Sequence, residues 1–280
     1  MTRARRVPAG TTVRDALDSA LIALTAAGCE TPRLDAELLL AEALGLNRGA
    51  LLTRPELVLA PDQARRFAEH ARRRREREPV AYILGRQGFR FVELLVDRRV
   101  LVPRPETELL VEVGLELAPG SRVVDVGTGS GAVALALACE RPDLQLLGTD
   151  SSAAALELAR ANAAQLAPGV VMLHGDLLEP VDGPVDAVLS NPPYVAEGDS
   201  VAPEVSRHEP RAALWAGGDG LDVLRRLPGA ARAAGASLLA VEVGAGQAAA
   251  VAGLMRAAGA AGVEVRRDLA GIDRVVIARW

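Results

Sequence analysis

The run Ser-Asn-Pro-Pro-Tyr at residues 190–194 combines residue types that could manage a planar NH₂ group. An sp² nitrogen is a poor nucleophile because its lone pair is delocalised. Two acceptors that take both of its N–H bonds can turn that lone pair toward an electrophilic methyl. Asn191 offers a side-chain carbonyl, and Pro192 offers a main-chain carbonyl stiffened by Pro193. Neither proline has an N–H to compete. Tyr194 can lie flat on a planar amide or base. The run follows PVDAVLS (184–190), which reads as a buried strand, and two prolines cannot continue a ladder. Catalysis here would be positioning and electrostatics, with no obligatory general base, since a proton can leave after transfer. The competing reading is a proline-stiffened turn, and the surroundings decide between the two.

Those surroundings include VVDVGTGSG at residues 123–131, where a strand turns into a helix. Gly127, Gly129 and Gly131, with Thr128 and Ser130 between them, let the backbone approach a ligand at a helix N-terminus. Alone, this is a weak dinucleotide-type signal. Asp125 sharpens it, because a carboxylate before the glycines would repel a pyrophosphate and suit an ammonium or sulfonium. Asp150 ends the next strand, roughly 20 residues on, where an acid can accept from ribose hydroxyls. Ribose plus positive charge describes S-adenosylmethionine better than NAD. Asp176, ending the third strand, is placed to reach the adenine amino group. The plain alternative is a glycine-rich turn that only packs helix on strand.

Composition bounds the rest. Of the 280 residues, half are apolar, enough for one large domain or two smaller ones. The net charge of −4 argues against a basic nucleic-acid binder, and every basic residue counted as Lys or Arg is Arg. Cys29 and Cys139 have no metal or redox spacing and sit in Ala/Leu-rich helical patterns, so buried free thiols in a reducing compartment are expected. His70, His174 and His208 are scattered, and no metal site is expected. The N-terminal MTRARRVPAG lacks the apolar core of a signal peptide, and no run approaches the ~18 apolar residues of a membrane span. No Gly-x-Ser-x-Gly or P-loop lysine stands behind a hydrolase or kinase reading. A cytoplasmic protein is expected.

The elements that must position these residues fall into two parts. The first part reads as helices. Thr11 or Thr12 caps one that runs toward Gly28, with Ala16, Leu21, Leu24 and Thr25 near one face. Thr31-Pro32 opens a second that ends at Gly45, and Asp62 begins a third that enters RRRRERE at 72–78. The arginine run reads as a solvated helix end balanced by Glu76 and Glu78 rather than an RNA site. GFRFVELLVD (88–97) and RRVLV (98–102) read as a short antiparallel pair, and Glu106-Thr107-Glu108 starts a helix with acids in its first turn. From residue 121 strands alternate with helices through SRVVDV, LQLLGTD, VVMLHGD, PVDAVLS and SLLAVEV, and VEVRRDLAG and DRVVIARW close as a hairpin. That alternation predicts a doubly wound, mostly parallel sheet with one antiparallel strand.

With these residues in place, the sequence resembles the protein-(glutamine-N5) methyltransferases of peptide chain release factors. The likeness covers most of the chain: EPVAYILG (78–85), Phe89, VPRPETE (102–108), DVGTGSG (125–131), SNPPY (190–194), EPRAAL (209–214), GGDGL (217–221) and DLAGIDRVV (268–276). The glycine loop and Asn-Pro-Pro-Tyr recur in many amino-methyltransferases, whereas PRPETE after YILG, with EPR and GGDGL downstream, is specific. The resemblance implies an α/β fold with a seven-stranded, Rossmann-like methyltransferase sheet over residues 105–280. It further implies a small all-helical N-terminal domain at 1–77 that docks the release factor, and a β-hairpin linker at 78–104. The implied reaction is S-adenosylmethionine-dependent N5-methylation of the glutamine in the Gly-Gly-Gln motif of class 1 release factors. By the same likeness Asn191 and Pro192 bind the glutamine amide, with Pro193, Tyr194, Phe89 and Arg104 on the substrate side. The cofactor would lie on residues 127–131, Asp125, Asp150, Asp176, Leu177 and Asn191. Some relatives carry an aromatic residue where Leu177 stands, and some show Trp or Tyr near Phe89 and Phe91, so either Phe could face the substrate. A monomer with no direct nucleic-acid or membrane contact is expected. Two other readings use the same motifs: N-methylation of adenine or guanine in nucleic acid, which would want a basic, aromatic-bearing surface, and a non-catalytic cofactor- or release-factor-binding module.

Overall fold

A computed structural model describes residues 10–280 of the chain. The part of the expected N-terminal domain and the signal-peptide reading that rest on residues 1–9 lie outside the described residues. In chain order the elements are α1 (Val13–Ala26), α2 (Pro32–Leu44), α3 (Arg48–Leu52), α4 (Pro61–Arg75), α5 (Val80–Leu84), β1 (Arg86–Phe89), β2 (Val92–Leu95), α6 (Glu108–Leu115), β3 (Arg122–Val126), α7 (Ala132–Glu140), β4 (Gln145–Asp150), α8 (Ala153–Leu166), β5 (Val171–His174), β6 (Ala187–Ser190), α9 (Pro203–His208), α10 (Asp222–Ala233), β7 (Leu238–Glu242), α11 (Ala248–Ala257), β8 (Gly262–Arg267) and β9 (Asp273–Arg279). They divide into two units: one runs to Gly85 and includes Ala202–His208, and the other holds Arg86–Val201 and Glu209–Trp280.

The first unit is helical. Thr12 caps α1 in a reciprocal box: its hydroxyl accepts from Asp15 N–H, and Asp15 Oδ2 accepts from Thr12 N–H, both at 3.2 Å. The buried face is Val13, Ala16, Leu17, Ala20 and Leu24. This corrects the expected stripe, because Thr25 is exposed and Leu21 only half-buried. Pro32 opens α2 and Gly45 closes it at φ 67°. Thr31 spends its hydroxyl on Asp35 Oδ1 at 2.8 Å instead of capping the helix. α3 and α5 are one-turn helices that the sequence pattern was too short to reveal.

The arginine run also departs from expectation. Arg74 is 5% exposed, its Nε on Asp35 Oδ2 at 2.7 Å and its Nη2 on Glu204 Oε1 at 2.8 Å. Arg77 Nε reaches the same Glu204 oxygen at 2.7 Å, and Arg73 pairs with Glu78. A charge is buried only when paired, so Arg74, with Arg77 and Glu204, forms an internal ionic tie of the helical unit, while Arg72, Arg75 and Glu76 keep the solvated helix end and Arg72 pairs with Glu76.

In the second unit β1 and β2 pair antiparallel across Arg90 (φ 49°) and Phe91, from Arg86↔Leu95 to Phe89↔Val92. The expected partner strand at 98–102 does not form, because the pairing closes within 86–95 instead. Asn162, buried on α8, anchors this hairpin: its Oδ1 accepts from Leu95 N–H at 2.8 Å and its Nδ2 donates to Leu95 O at 3.0 Å. The main sheet has seven strands in the order β5-β4-β3-β6-β7-β9-β8. All pairs are parallel except β7·β9 and β8·β9. β6 and β7 are buried along their whole length, which is why they read as unbroken apolar runs. β9 inserts between β7 and β8, so the terminal hairpin extends the sheet with its second strand inside. Cys29 and Cys139 are free thiols. Cys29 is buried as expected, but Cys139 is exposed at the last turn of α7, which corrects that reading.

Candidate functional site

The strand order reverses between β3 and β6, and ligands of open α/β sheets collect outside the carboxyl ends at such a switch point. Gly127 follows β3 and Asn191 follows β6, so the two motifs meet there. A Cβ built on Gly127 would lie 3.9 Å from the main-chain oxygen of Asn191. Between them opens a cavity of about 320 Å³. Asp125, Gly127, Thr128, Gly129, Ser130, Asp150, Asp176, Leu177, Asn191, Pro192 and Pro193 all line it.

The glycine loop is held by main-chain bonds. Gly127 and Thr128 N–H both donate to Thr149 O, at 2.8 and 2.9 Å, and Gly127 and Gly129 take φ values of 72° and 58°. Side chains rarely adopt that conformation, which is the reason for glycine here. The Asp150 carboxylate accepts from Gly129 N–H at 2.9 Å and from Ser152 N–H at 2.8 Å. Asn162 Nδ2 also donates to Ser130 O at 2.9 Å, joining the loop to the hairpin.

Gly131 is different. It is absent from the cavity wall, and a Cβ there would sit 2.8 Å from Leu135 Cδ1. Its φ of 86° starts α7, and its lack of a Cβ lets α7 close on Leu135.

Asp125 is buried, with Oδ2 accepting from the Thr128 hydroxyl at 2.6 Å and Ala134 N–H at 3.3 Å. Burial pushes its carboxyl up to about 6 against those hydrogen bonds. A cation in the cavity would relieve that cost. Asp176 pairs with Arg226, which sequence reasoning did not single out. Leu177 holds a left-handed φ of 50°, unusual for a bulky side chain, and packs against the core cluster.

Asn191 Nδ2 donates to Thr107 Oγ1 at 3.0 Å. Thr107 donates to Glu242 Oε2 at 2.6 Å, and the Tyr194 hydroxyl donates to Glu242 Oε1 at 3.2 Å. Burial pushes the Glu242 carboxyl up, while these two hydroxyls hold it down. Burial and the Glu242 charge push the Tyr194 hydroxyl up in turn. Tyr194 is half-buried and packs against the core cluster, its hydroxyl held by Glu242. Phe89 is 2% exposed and belongs to the core, so it cannot meet a substrate; Phe91, at the hairpin turn, is exposed. Arg104 does not line the cavity, and its guanidinium is tied to buried Glu209. Sequence reasoning did not single out Thr107 and Glu242, which link Asn191 and Tyr194, although Glu242 carried a readable signal: an acid at the carboxyl end of an apolar strand, as for Asp125 and Asp150.

Among the described residues no group of three or more His, Cys, Asp or Glu could hold a metal ion. None of their helices is long and apolar enough to cross a membrane. The cavity fits the cofactor suggested by the motifs: a glycine cradle that a Cβ would strain, a carboxylate held by main-chain N–H groups on the second strand, and a buried acid near it.

Comparison with known proteins decides the family. Residues 15–85 match the PrmC N-terminal domain and residues 105–245 match the methyltransferase small domain. The release factor glutamine methyltransferase of Rhodospirillum rubrum is 42% identical over 271 residues, covering 94% of this chain and 83% of that protein. That of Deinococcus radiodurans is 44% identical over 275 residues, covering 95% and 98%. The chain belongs to the release factor glutamine methyltransferase family. Among solved structures, the hMettl16 catalytic domain in complex with MAT2A 3'UTR hairpin 6 aligns with a TM-score of 0.55 at 16% identity, over 66% of this chain and 75% of that one. A methyltransferase from Pyrococcus furiosus aligns with a TM-score of 0.51 at 16% identity, over 66% and 87%. At that identity the likeness concerns the fold alone, a mostly parallel, Rossmann-like methyltransferase sheet.

Proposed function

We propose that this methyltransferase uses S-adenosylmethionine to methylate N5 of the glutamine in the Gly-Gly-Gln motif of class 1 peptide chain release factors. The observation that supports the reading is the adjacency of Gly127 and Asn191 at the sheet's switch point, which suits a cofactor cradle beside an amide clamp. Gly127, Gly129 and Asp150 would hold the cofactor, and Asp125 favours its positive charge. When bound, the cofactor supplies an electrophilic methyl to the substrate nitrogen. Asn191 Oδ1 and Pro192 main-chain oxygen accept the two N–H bonds of the glutamine amide and so direct its lone pair. That nitrogen releases one proton after transfer. The prolines stiffen the clamp and add no competing donor. The helical unit, whose residues 15–85 carry the family's N-terminal match, supports a docking role for the intact release factor.

The test is direct. Enzyme, methyl-labelled cofactor and unmodified release factor are incubated, and the Gly-Gly-Gln peptide is analysed by mass spectrometry. One methyl on the glutamine side chain is expected. Label that appears elsewhere, or only on nucleic acid in a cell extract, would sink the reading.

A further inference from the structure

The substrate clamp needs Asn191 to present an acceptor, yet an amide has two faces of opposite polarity and can turn over. We infer that Thr107, aligned by Glu242, is a positioning residue that fixes which face of the Asn191 amide meets the substrate. This rests on the reading of Asn191 as the amide acceptor.

A threonine hydroxyl has one proton and can donate once. Thr107 donates to Glu242 Oε2 at 2.6 Å, a short, charge-assisted geometry. The other carboxylate oxygen receives the Tyr194 hydroxyl at 3.2 Å, so both oxygens are met by donors, as an ionised acceptor requires. With its proton spent, Thr107 Oγ1 can only accept from Asn191, at 3.0 Å. The Asn191 NH₂ therefore faces Thr107, and its carbonyl is the group left for the cavity. If the amide turned over, its carbonyl oxygen would meet the Thr107 lone pairs, and its NH₂ would meet the NH₂ of the substrate. Both contacts would be repulsive.

The four residues come from three places in the chain: the turn before α6, the loop after β6 (Asn191 and Tyr194), and the end of β7. Thr107 is 4% and Glu242 2% exposed, so both partners are buried, where an unmet polar group is costly. The arrangement is more than packing needs. An apolar pair would fill the same space without the cost of burying a carboxylate.

The experiment compares Thr107→Val, Thr107→Ser and Asn191→Ala, each alone, and Thr107→Val with Asn191→Ala. Cofactor affinity by calorimetry establishes that each variant is folded. On release factor, Thr107→Val is expected to lower kcat by about 10²-fold, the order for losing a preorganised hydrogen-bond partner. KM and cofactor Kd should stay within about threefold, because the loss falls on the transition state. Thr107→Ser, which keeps the hydroxyl, should recover most of the rate. In the Asn191→Ala background Thr107→Val should cost little more, since no amide is left to orient. A second readout needs no substrate: the Asn191 side-chain NH₂ resonance, assigned by its loss in Asn191→Ala, should exchange slowly with solvent in the wild type and Thr107→Ser and quickly in Thr107→Val. Wild-type kcat in Thr107→Val, no rescue by Ser, additive losses in the double variant, or equal exchange in all three would each overturn the relay. A wild-type enzyme that leaves release factor unmodified while its Asn191 exchange follows Thr107 would overturn the substrate and uphold the relay.

Discussion

Gly129 N–H donates to Asp150 Oδ2 at 2.9 Å, so the loop after β3 and the acid at the end of β4 are one unit. The carboxylate thus orients the glycine loop and, with its remaining lone pairs, can take the ribose hydroxyls.

Asp150→Ala is expected to weaken S-adenosylmethionine binding about 10–150-fold, corresponding to ~1.5–3 kcal/mol for a hydrogen bond to a charged group. Asp150→Asn keeps an acceptor and should fall between. Titration calorimetry measures both, and unchanged affinity in the Ala variant would remove Asp150 from the site.

Asn191→Ala is expected to reduce kcat about 10²–10³-fold with a smaller change in cofactor affinity. Asn191→Asp should do no better. Its carboxylate would face Thr107, whose single proton already serves Glu242, so two anions would compete for one donor. Single-turnover rates at saturating cofactor and substrate decide the order; an Asp variant near the wild-type rate would contradict the proton count.

Gly131→Ala tests a packing role. The new Cβ would sit 2.8 Å from Leu135 Cδ1 on a backbone at φ 86°. A loss of ~1–3 kcal/mol is expected for a side chain forced into that region. Thermal unfolding should show a lower Tm, while cofactor Kd measured well below the new Tm should barely move. A large loss of affinity with unchanged Tm would return Gly131 to the binding wall.

Glu204 gives the helical unit an acid limit. Burial pushes its carboxyl up, but hydrogen bonds from Arg77 and Arg74 outweigh it and hold the group down at about 2, from an ordinary 4.5. A folded value below the unfolded one stabilises the protein above about 4.5 and loses that contribution as pH falls through about 2. Glu204→Gln should therefore lower Tm at neutral pH, and the gap to the wild type should close between those two values. A gap that is constant with pH would show that the ionic tie contributes nothing.

Deletion of residues 1–77 addresses docking. The remaining chain should still bind cofactor, because every residue lining the cavity lies in the second unit. Its kcat/KM on intact release factor should drop, and less so on a short Gly-Gly-Gln peptide. Equal kcat/KM for both enzymes on the intact protein would remove the helices from recognition.

The sequence by itself determined the parts of this protein whose physics is local. Glycines needing left-handed φ, the Thr12 cap, the Pro32 start, the apolar strands and the acids at their carboxyl ends are properties of a few adjacent residues. They sufficed for the α/β class, the cavity-lining glycine loop and the presence of Asn191 on the cavity wall. The tertiary structure decided what depends on residues far apart. It put Phe89 in the core and Phe91 in solvent, and packed Tyr194 against the core with its hydroxyl on Glu242. It paired Arg74 with Asp35 and Glu204, which no run of arginines announces. It set Asn191, Thr107 and Glu242 in hydrogen-bond order. Burial and pairing depend on which strands become neighbours, and neighbours such as β6 and β7 are separated by the whole of α9 and α10.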